Sequence, residues 1–478
     1  MNGQLTRRLG TLAAALLLAG CVNLAPDYQT PALPVPATLP AASGAPAPLP
    51  AWSTLARDER LRQVVELALA RNRDLRVALL NVERSRAQLR LTDADRWPTV
   101  SAAFIASRAP NSQGDQANTL QLGLQLSSYE IDLLGRMRNA SDAAASTLLA
   151  TEAGARSARL ALVAQAASAW LTLAADGEQL RLARQSLQSR DETLRLTALR
   201  ENAGAASALE LSVAQSLSAS ARASVAQLER QLAQDRSALS LVAGGELPEA
   251  LLPGASALSD GEWLAAVPAG ASSDLLLARP DVIQAEQQLR AANANIGAAR
   301  AALFPRITLS GSAGQVSDTL RGLFEAGHFA YTLTASAAMA LFDAGRNQAH
   351  VEVAQVNRDV AVAQYEKAVQ TAFKEASDAL QAQSTWAAQG EAQQTLLQAE
   401  QTRVRLTRLK FDNGAASLTD LLDAERSLAA AQQARVQVRL GELLNRLSLY
   451  KALGGEPLAA SAQPSAGSPA PGAPTQNS

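Results

Sequence analysis

Residues 119–126 read Thr-Leu-Gln-Leu-Gly-Leu-Gln-Leu, a strict alternation of leucine with small or polar residues. Three other stretches alternate in a similar way, at 100–106, 307–313 and 329–335. A period of two places successive side chains on opposite faces of a β-strand. The sequence therefore predicts four strands of about ten residues, each with one apolar and one small polar face.

Very long helical stretches follow these strands. Residues 136–200 and 346–410 contain no proline, and at about 1.5 Å per residue each helix would reach on the order of 100 Å. Each stretch breaks at a Gly-Ala-Ala-Ser turn, and a second helix returns at 207–243 or 417–453. Apolar residues recur along these helices with a 4-3 spacing, which predicts packing as in coiled coils.

The chain repeats itself between its two halves. Four markers recur in the same order, and an offset of 210 residues separates Gly204 from Gly414. The markers are Trp97-Pro98 with Phe304-Pro305, Asp132 and Gly135-Arg136 with Asp343 and Gly345-Arg346, Gly204 to Ser207 with Gly414 to Ser417, and Gly244-Gly245 with Gly454-Gly455. Each half is predicted to be a short helix ending before a proline, a β-hairpin and a long helical hairpin.

The N-terminus has the pattern of a bacterial targeting segment. Arg7-Arg8 precede an apolar run at 9–19, which is too short to span a bilayer. The run ends in Leu18-Ala19-Gly20-Cys21, which resembles a lipobox, so Cys21 is predicted to be the lipid-modified first residue of the mature chain. The alternative is an ordinary signal peptide with a chance cysteine. Val22 stands where an aspartate would indicate retention in the inner membrane, which favours the outer membrane.

These patterns predict a domain organisation for the whole chain. The predicted segments are a signal peptide at 1–20, a lipid-anchored proline-rich tether at 21–57, a first repeat at 58–245, a linker at 246–279, a second repeat at 280–455 and a disordered tail at 456–478. No stretch beyond the signal peptide reads as long and apolar enough for a transmembrane helix, so a membrane crossing would need β-strands.

Composition excludes several classes of function. The 43 basic and 44 acidic residues leave no basic excess for nucleic acid. With one cysteine and two histidines, His328 and His350, neither a metal site nor a cofactor is predicted. Gly311-Ser312-Ala313-Gly314 lacks the spacing of a nucleophile elbow, and no phosphate-binding loop is present. No catalytic residue is predicted, and the protein is expected not to be an enzyme.

The faces of the strands point to a pore. Leucines at 120, 122, 124 and 126 form an apolar face with no evident protein core to cover it, whereas Gln121 and Gln125 lie on the polar face. A half-buried sheet in a soluble domain would also alternate. The adjacent helices are too long to fold back as a compact cover, which favours a membrane barrel with a polar lumen. Four strands cannot close a barrel, so several chains are expected to contribute.

Several motifs together resemble one family. They are Cys21 with Pro26-Asp27-Tyr28, Ala278-Arg279-Pro280-Asp281, Leu303-Phe304-Pro305, Phe342 to Arg346, Asp420 to Arg426, and Tyr450 to Gly455. In this order and with the internal duplication, the chain resembles the outer membrane factor (TolC-like) family over residues 21–455, specifically its lipoprotein branch of the NodT type.

The resemblance implies a fold and a set of partners. The fold would be mixed but mainly α: a homotrimeric channel with a 12-stranded membrane β-barrel, four strands per chain, and a long periplasmic α-helical barrel. It implies a lipid-anchored outer membrane duct that docks to a periplasmic adaptor and serves an inner-membrane pump of the RND type. The expected cargo is drugs or other small solutes. Alternatives are a duct for type I secretion of proteins or peptides, and a periplasmic coiled-coil lipoprotein without a pore.

The turn of the second helical hairpin carries the candidate gate. Asp420 and Asp423 are three residues apart and share a helix face, so three-fold symmetry would bring six carboxylates together. The competing interpretation is structural, because Ser417 to Asp420 has the pattern of a capping box. The family resemblance favours a gate, whereas capping explains Asp420 better than Asp423.

The gate partners are less well defined. By the resemblance, Glu210 in the first hairpin corresponds to an acid that helps to close the tip. Ala416 stands where TolC carries an arginine, so a TolC-style latch is in doubt. Arg426 is a candidate partner for Asp423, and Val213 occupies the position of Asp423 in the first repeat.

Overall fold

The computed structural model describes residues 23–36, 38–39, 50–110, 112–254, 258, 261–267 and 274–455. The predicted signal peptide, Cys21 and the tail at 456–478 lie outside the described residues. Within them the protein is mainly helical, with one four-stranded sheet, which confirms the predicted fold class. The contacts divide the chain into two compact units, each of which draws on both halves of the sequence.

Among the described elements, both halves contain helices, a β-hairpin and a helical hairpin in that order, and the first half has one more helix before its β-hairpin. The first half contains α1 (Trp52–Leu55), α2 (Glu59–Arg71), α3 (Arg73–Ala94), β1 (Val100–Pro110), β2 (Gln116–Glu130), α4 (Arg136–Asn202) and α5 (Ala208–Ala243). The second contains α6 (Asp274–Leu277), α7 (Pro280–Ala301), β3 (Arg306–Ser317), β4 (Phe329–Ala338), α8 (Arg346–Asp412) and α9 (Leu418–Ala452). Short 3₁₀ turns lie at Glu249–Leu251 and Gly322–Phe324. The division of the sequence at 245 and 280 into folding units stays a prediction.

The long helices match the prediction to within about two residues, the usual uncertainty of a helix end. Both α4 and α8 contain 67 residues and end at a turn in which a glycine has positive φ, Gly204 at 72° and Gly414 at 71°. Glycine adopts this left-handed conformation without the steric penalty that a Cβ imposes. The repeated Gly-Ala-Ala-Ser motif therefore reverses the chain.

The predicted first helix is two helices. Asn72 interrupts the stretch with an extended backbone (φ −61°, ψ 132°), and its side-chain Nδ2 donates to the carbonyl of Val242 at 2.9 Å. Its partner lies 170 residues away, so local sequence gave no sign of the break.

The sheet is antiparallel with strand order β1-β2-β3-β4, so the two hairpins join through β2 and β3. The register places all four alternating patterns in phase. One face carries Val100, Ala102, Phe104, the leucines of β2, Ala313, Tyr331 and Leu333. The opposite face carries Ser101, Gln121, Gln125, Ser310, Ser312, Thr332 and Thr334. The predicted apolar and polar faces are thus confirmed, with exceptions such as Gln315 on the apolar face and Ile105 and Val316 on the polar face.

The join between the hairpins requires glycine. Gly123 pairs with Gly314, and a Cβ added at either position would lie 2.3 or 2.2 Å from a carbonyl oxygen of the neighbouring strand. Ala103 and Ala330 flank this pair on the outer strands, so a row of minimal side chains crosses the polar face. Such a row lets a sheet curve toward that face.

In the unit that contains the sheet (Met1–Pro36, Arg73–Arg159 and Pro280–Ala372), the described part of the tether is extended and docked on α7. Asn293 Nδ2 donates to the carbonyl of Pro26 at 2.8 Å, and Arg300 donates to the carbonyl of Leu24 at 3.2 Å. A Cβ at Gly297 would lie 2.7 Å from the backbone nitrogen of Ala25, so the close approach depends on this glycine. We call residues 23–28 the strap.

In the other unit (Ala37–Asn72, Leu160–Arg279 and Phe373–Ser478), the core around α4 is built on Trp170. This side chain is fully buried, and its Nε1 donates to the carbonyl of Leu251 at 2.9 Å. The ring of Trp263 lies 5.3 Å away, and the guanidinium of Arg60 stacks 5.8 Å from the Trp170 ring. The linker between the halves is thereby packed onto the first helical hairpin.

One prediction about hydropathy was wrong. Among the described residues, α4 contains an 18-residue window with a mean hydropathy of 1.3, long and apolar enough to cross a membrane by composition. Within the protein 56% of that window is buried. Alanine and leucine that pack between helices give the same average hydropathy as a membrane span, which explains the value without lipid.

Candidate functional site

The polar face of the sheet is lined by small neutral groups. Between the ends of the strands it carries hydroxyl, amide and glycine or alanine side chains, together with Ile105 and Val316. Such a surface can hydrogen-bond water along its length and imposes no fixed charge on a solute. It is suited to lining an aqueous passage.

The apolar face is exposed within the chain. Tyr331, Leu333 and Phe329 are 75%, 67% and 65% exposed, and Leu124 on β2 is 57% exposed. Contiguous apolar surface of this kind marks contact with a membrane or a partner. Aromatic residues lie at the helix end of the sheet, where an aromatic girdle was predicted: Trp97, Tyr129, Phe304 and Phe342.

A charged cluster that sequence reasoning missed lies at the same end. Glu130 accepts two hydrogen bonds from Arg136, at 2.7 and 2.6 Å, and its Oε2 lies 2.5 Å from Nε of Arg306. The cluster ties the end of β2 to the start of β3 and of α4. Charged residues at the ends of the alternating segments could have indicated this cluster from the sequence. The pairing of β2 with β3 is still needed to bring Arg306 close to Glu130.

The repeated aspartates, Asp132 and Asp343, lie just before the long helices α4 and α8. Asp132 accepts a hydrogen bond from the backbone nitrogen of Arg138 at 2.8 Å, and Asp343 accepts one from that of Asn347 at 3.0 Å. The backbone donors, first that of Asn347, hold the pKa of Asp343 below its ordinary value. These markers therefore satisfy free N–H groups at the helix starts.

Both hairpin tips carry a capping box. Oε2 of Glu210 accepts from the backbone nitrogen of Ser207 at 2.6 Å, and Oδ2 of Asp420 accepts from that of Ser417 at 2.9 Å. Each serine hydroxyl in turn accepts from the backbone nitrogen of its acid, at 3.2 Å in both boxes. The hydrogen bonds from serine hold the pKa of both carboxyls below their ordinary values. The predicted structural role of Ser417 to Asp420 is present.

Asp423 is held by two arginines. Its Oδ1 accepts from Arg426 at 2.5 Å, and its Oδ2 lies 3.5 Å from Arg403 on α8. Arg403 also donates to the backbone carbonyl of Asp423 at 3.3 Å. The side chain remains about half exposed, at 47%. The candidate partner Arg426 is thus in contact with Asp423, and Arg403 is a further partner that lies 20 residues earlier in the sequence.

The two predicted gate acids therefore differ in their surroundings. Asp420 bonds within its own turn, whereas Asp423 bridges α9 to α8 through Arg403. Glu210 lies in its own capping box. Whether these residues gate a pore stays a prediction.

The two histidines and Ser312 lie on separate parts of the chain. His328 precedes β4, His350 lies in the first turns of α8, and Ser312 faces the polar side of β3. In the part of the chain that the structure describes, no group of three or more His, Cys, Asp or Glu side chains is arranged to hold a metal ion.

The chain combines a short sheet, which has one exposed apolar face and one polar face, with two helices of 67 residues, α4 and α8. This combination is typical of an outer membrane channel subunit. The profile of the outer membrane efflux protein family matches residues 64–245 and 271–455, and the chain belongs to this family.

Named relatives agree with this assignment. The probable efflux pump outer membrane protein TtgC of Pseudomonas putida is 40% identical over 467 residues, covering 94% of this chain and 96% of that protein. The cation efflux system protein CusC of Escherichia coli K12 is 36% identical over 457 residues, covering 94% and 99%. The open state of the Neisseria gonorrhoeae MtrE outer membrane channel has a TM-score of 0.83 and 34% identity over 91% of this chain and 98% of that chain. The protein is an efflux channel component of the outer membrane that extends into the periplasm.

Proposed function

We propose that three copies of this chain form one passive duct, to which each contributes four strands of a 12-stranded barrel. The observation that carries this proposal is the sheet register, which gives four strands a continuous apolar face and a continuous polar face. β1 and β4 are the edge strands. Unpaired backbone groups are not tolerated in lipid, so these edges need the strands of further copies.

Adjacent residues of β2 test this proposal. Leu124 lies on the apolar face and Gln125 on the polar face. Leu124→Arg would place a charge in lipid at a cost of about 2–4 kcal/mol per copy near the membrane midplane, and it should prevent assembly. Gln125→Arg is the matched control, because the same charge would enter the aqueous lumen.

Native mass measurement in detergent and planar-bilayer conductance give the readout. The Gln125→Arg variant should form a trimer with altered ion selectivity, and Leu124→Arg should yield little trimer. Equal tolerance of both changes would contradict the assignment of the faces. A stable monomeric channel would contradict the barrel itself.

The duct is proposed to act without catalysis, as the outer part of a tripartite system with a periplasmic adaptor and an inner-membrane pump of the RND type. Both hairpin tips end in exposed turns that a partner can contact, and Leu209 and Leu409 near them are 73% and 62% exposed. Crosslinking from the tips in living cells would identify the adaptor. Recovery of an adaptor of a protein-secretion system would instead favour the alternative cargo, proteins or peptides.

The proposed cargo is drugs or other small solutes. Two relatives are named as toluene and antibiotic efflux proteins and a third as a cation efflux protein, so the channels of this family are named for chemically different cargo. The neutral polar face of the sheet supports a barrel lumen that adds no charge selectivity of its own. Loss of the gene should raise sensitivity to the cargo of its pump, and a variant that assembles without conducting should not restore export.

Cys21 is proposed to carry the lipid anchor. The docked strap supports this, since Oδ1 of Asn23 accepts a hydrogen bond from Asn139 Nδ2 at 2.9 Å, which fixes the chain two residues after Cys21. Mass spectrometry of the mature protein should find diacylglycerol on Cys21 and no residues 1–20. An unmodified Cys21 would refute this.

Asp420 and Asp423 are proposed to line the narrowest point of the periplasmic tip, with Glu210 and Arg426 as gate partners. Their place in the first turns of α9, next to the chain reversal, supports this, and the arginines beside Asp423 reduce the repulsion among symmetric copies. Replacing both aspartates with alanine should raise single-channel conductance and weaken cation selectivity. A double variant that conducts and selects like the parent would leave only the capping role.

A further inference from the structure

A pair of carboxyl groups joins the two helices of the first hairpin. Asp176 on α4 faces Asp235 on α5, in the antiparallel register that also pairs Arg184 with Glu229 at 2.7 Å, and the two carboxyl groups are hydrogen-bond neighbours. The Oδ2 atom of Asp176 is shielded from solvent, and no donor among the described residues reaches it. Two ionised carboxylates are both acceptors, so a hydrogen bond between them requires one proton.

We propose that Asp176 and Asp235 share a proton and form a pH-sensitive clamp, which holds α4 to α5 in acid and weakens as the medium becomes neutral. One carboxyl group donates its O–H to the carboxylate of the other. When the proton leaves, two negative charges remain side by side and repel each other. The clamp acts within the first hairpin and does not depend on conduction by the duct.

The surroundings set the pH range of the clamp. Burial first, and then the hydrogen bond and charge of Asp235, raise the pKa of Asp176 to about 7. Asp235 is held in place because its Oδ2 accepts from Gln231 Nε2 at 2.8 Å. Gly177 and Arg236, which follow the two aspartates in the sequence, line a cavity of about 310 Å³.

Nearby cations have other acidic partners. The charged groups that face this region from α4, α5 and the 3₁₀ turn form the pairs Arg181–Glu178 at 4.0 Å, Arg184–Glu229 at 2.7 Å and Arg236–Glu249 at 2.5 Å. From α2, the guanidinium of Arg60 stacks on Trp170. Because these charges are engaged elsewhere, a proton remains the agent that can neutralise the pair.

The second hairpin provides an internal reference. At the offset of 210 residues, Asp176 corresponds to Trp386 and Asp235 to Asn445. The Nδ2 of Asn445 donates to the carbonyl of Ala379 at 3.0 Å, a contact that does not titrate. A pH effect from the clamp should therefore be confined to the first hairpin.

The direction of the effect follows from linkage. Between the ordinary carboxyl pKa of 3.8 and about 7, the closed hairpin binds more protons than the opened one. Its resistance to opening therefore falls as the pH rises through this window and becomes constant above it. If opening fully hydrates the pair, the opening constant rises by up to about tenfold per pH unit.

Hydrogen exchange on the full-length protein in detergent tests the clamp. After correction for intrinsic exchange rates, protection of amides at 170–182 and 228–240 should fall several-fold from pH 5 to pH 8, while 380–392 and 438–450 should change little. Asp176→Asn keeps a donor for Asp235, so its protection at pH 8 should match that of the parent in acid. Asp235→Asn should do the same and serves if the first variant does not fold.

Asp191→Asn is the matched control. Asp191 also lies on α4 and bonds across to α5 through Ser218 at 2.5 Å, so this variant removes a carboxylate and leaves the pair intact. It should retain the pH dependence of the parent. The proposal is overturned if the parent shows no pH dependence in the first hairpin, if the second hairpin changes equally, or if both asparagine variants keep the trend.

Discussion

The two helical hairpins have nearly the same backbone and different interiors. Both begin with a 67-residue helix, turn at a glycine of positive φ and continue from a serine cap. Midway along, Trp170 corresponds to Leu380, and Gln231 corresponds to Gly441. Turn and cap residues therefore preserve the repeated backbone, whereas the interior residues differ between the two hairpins.

The neighbours explain the choice of residues. The linker between the repeats packs on the first hairpin, where the carbonyl of Leu251 and the ring of Trp263 meet Trp170. In the second hairpin, Trp386 occupies the place of an acid, and Gly441 makes room for its ring. Each hairpin thus carries one tryptophan in α4 or α8 at a different depth.

The largest expected effect comes from Trp170. Replacing this fully buried side chain with alanine should lower the free energy of unfolding by about 3–5 kcal/mol, because the change leaves a cavity and removes a hydrogen bond. The linker should also detach from the first hairpin. Denaturant unfolding followed by circular dichroism measures the loss, and limited proteolysis at 246–267 reports the release. Trp386→Ala, at a half-buried site, is the control and should cost less. Equal costs would mean that the linker contributes nothing to the first hairpin.

The next-largest effect is expected at Gly441, where an added side chain would collide with the ring of Trp386. A Cβ at Gly441 would lie 2.4 Å from the ring of Trp386, so Gly441→Leu should destabilise the second hairpin by about 1–3 kcal/mol. Gln231→Leu at the corresponding exposed site loses only an exposed hydrogen bond to Asp235 and should cost at most about 1 kcal/mol. The double variant Gly441→Leu/Trp386→Ala should recover part of the loss. If it recovers nothing, the ring is not the obstacle.

The caps should give smaller and equal effects. Ser207→Ala and Ser417→Ala each remove an N-cap, at about 1 kcal/mol. Because the pKa of Glu210 and of Asp420 is lowered, the contribution of each acid is complete above its ordinary pKa and is lost as the pH falls through the lowered value. Amide exchange at the tips between pH 5 and pH 2.5 measures this. A response at one tip alone would contradict the equivalence of the boxes.

The smallest expected change in stability comes from Asp423, a residue that differs between the two hairpin tips. Asp423→Val gives the second hairpin the residue that Val213 supplies in the first, and the loss of an exposed ion pair should cost at most about 1 kcal/mol. Conductance is the sensitive measurement, and Arg426→Ala is the control that removes the partner and keeps the acid. If Asp423→Val leaves conductance unchanged, Asp423 serves only to join α9 to α8.

Much of the fold could be predicted from local patterns. Strict alternation at 119–126 and the absence of proline in the long stretches located β2, α4 and α8, because period and breakers act through neighbouring residues. Strand lengths were underestimated: β2 continues to Glu130 through an irregularity between Leu126 and Tyr129 that interrupts the alternation.

Long-range contacts could not be predicted. Four features each join residues that are far apart in the sequence. They are the break at Asn72, the docked strap, the contact of Arg306 with Glu130 and the hydrogen bond of Trp170. At the candidate gate, the capping box of Asp420 and the pairing of Asp423 with Arg426 were predicted from spacings of three residues. The contact with Arg403 was missed because it crosses between helices.

The open edges of the sheet bear on how the channel is made in the cell. β1 pairs with β2 alone and β4 with β3 alone among the described strands, so a single copy exposes two rows of backbone donors and acceptors. A lone subunit would have to bury these rows in hydrocarbon, at several kcal/mol for each unsatisfied group. If three copies close the barrel as proposed, insertion and oligomerisation should therefore be one event. The yield of finished channel should depend steeply on the rate of synthesis, and newly secreted chains should wait in the periplasm until their partners arrive.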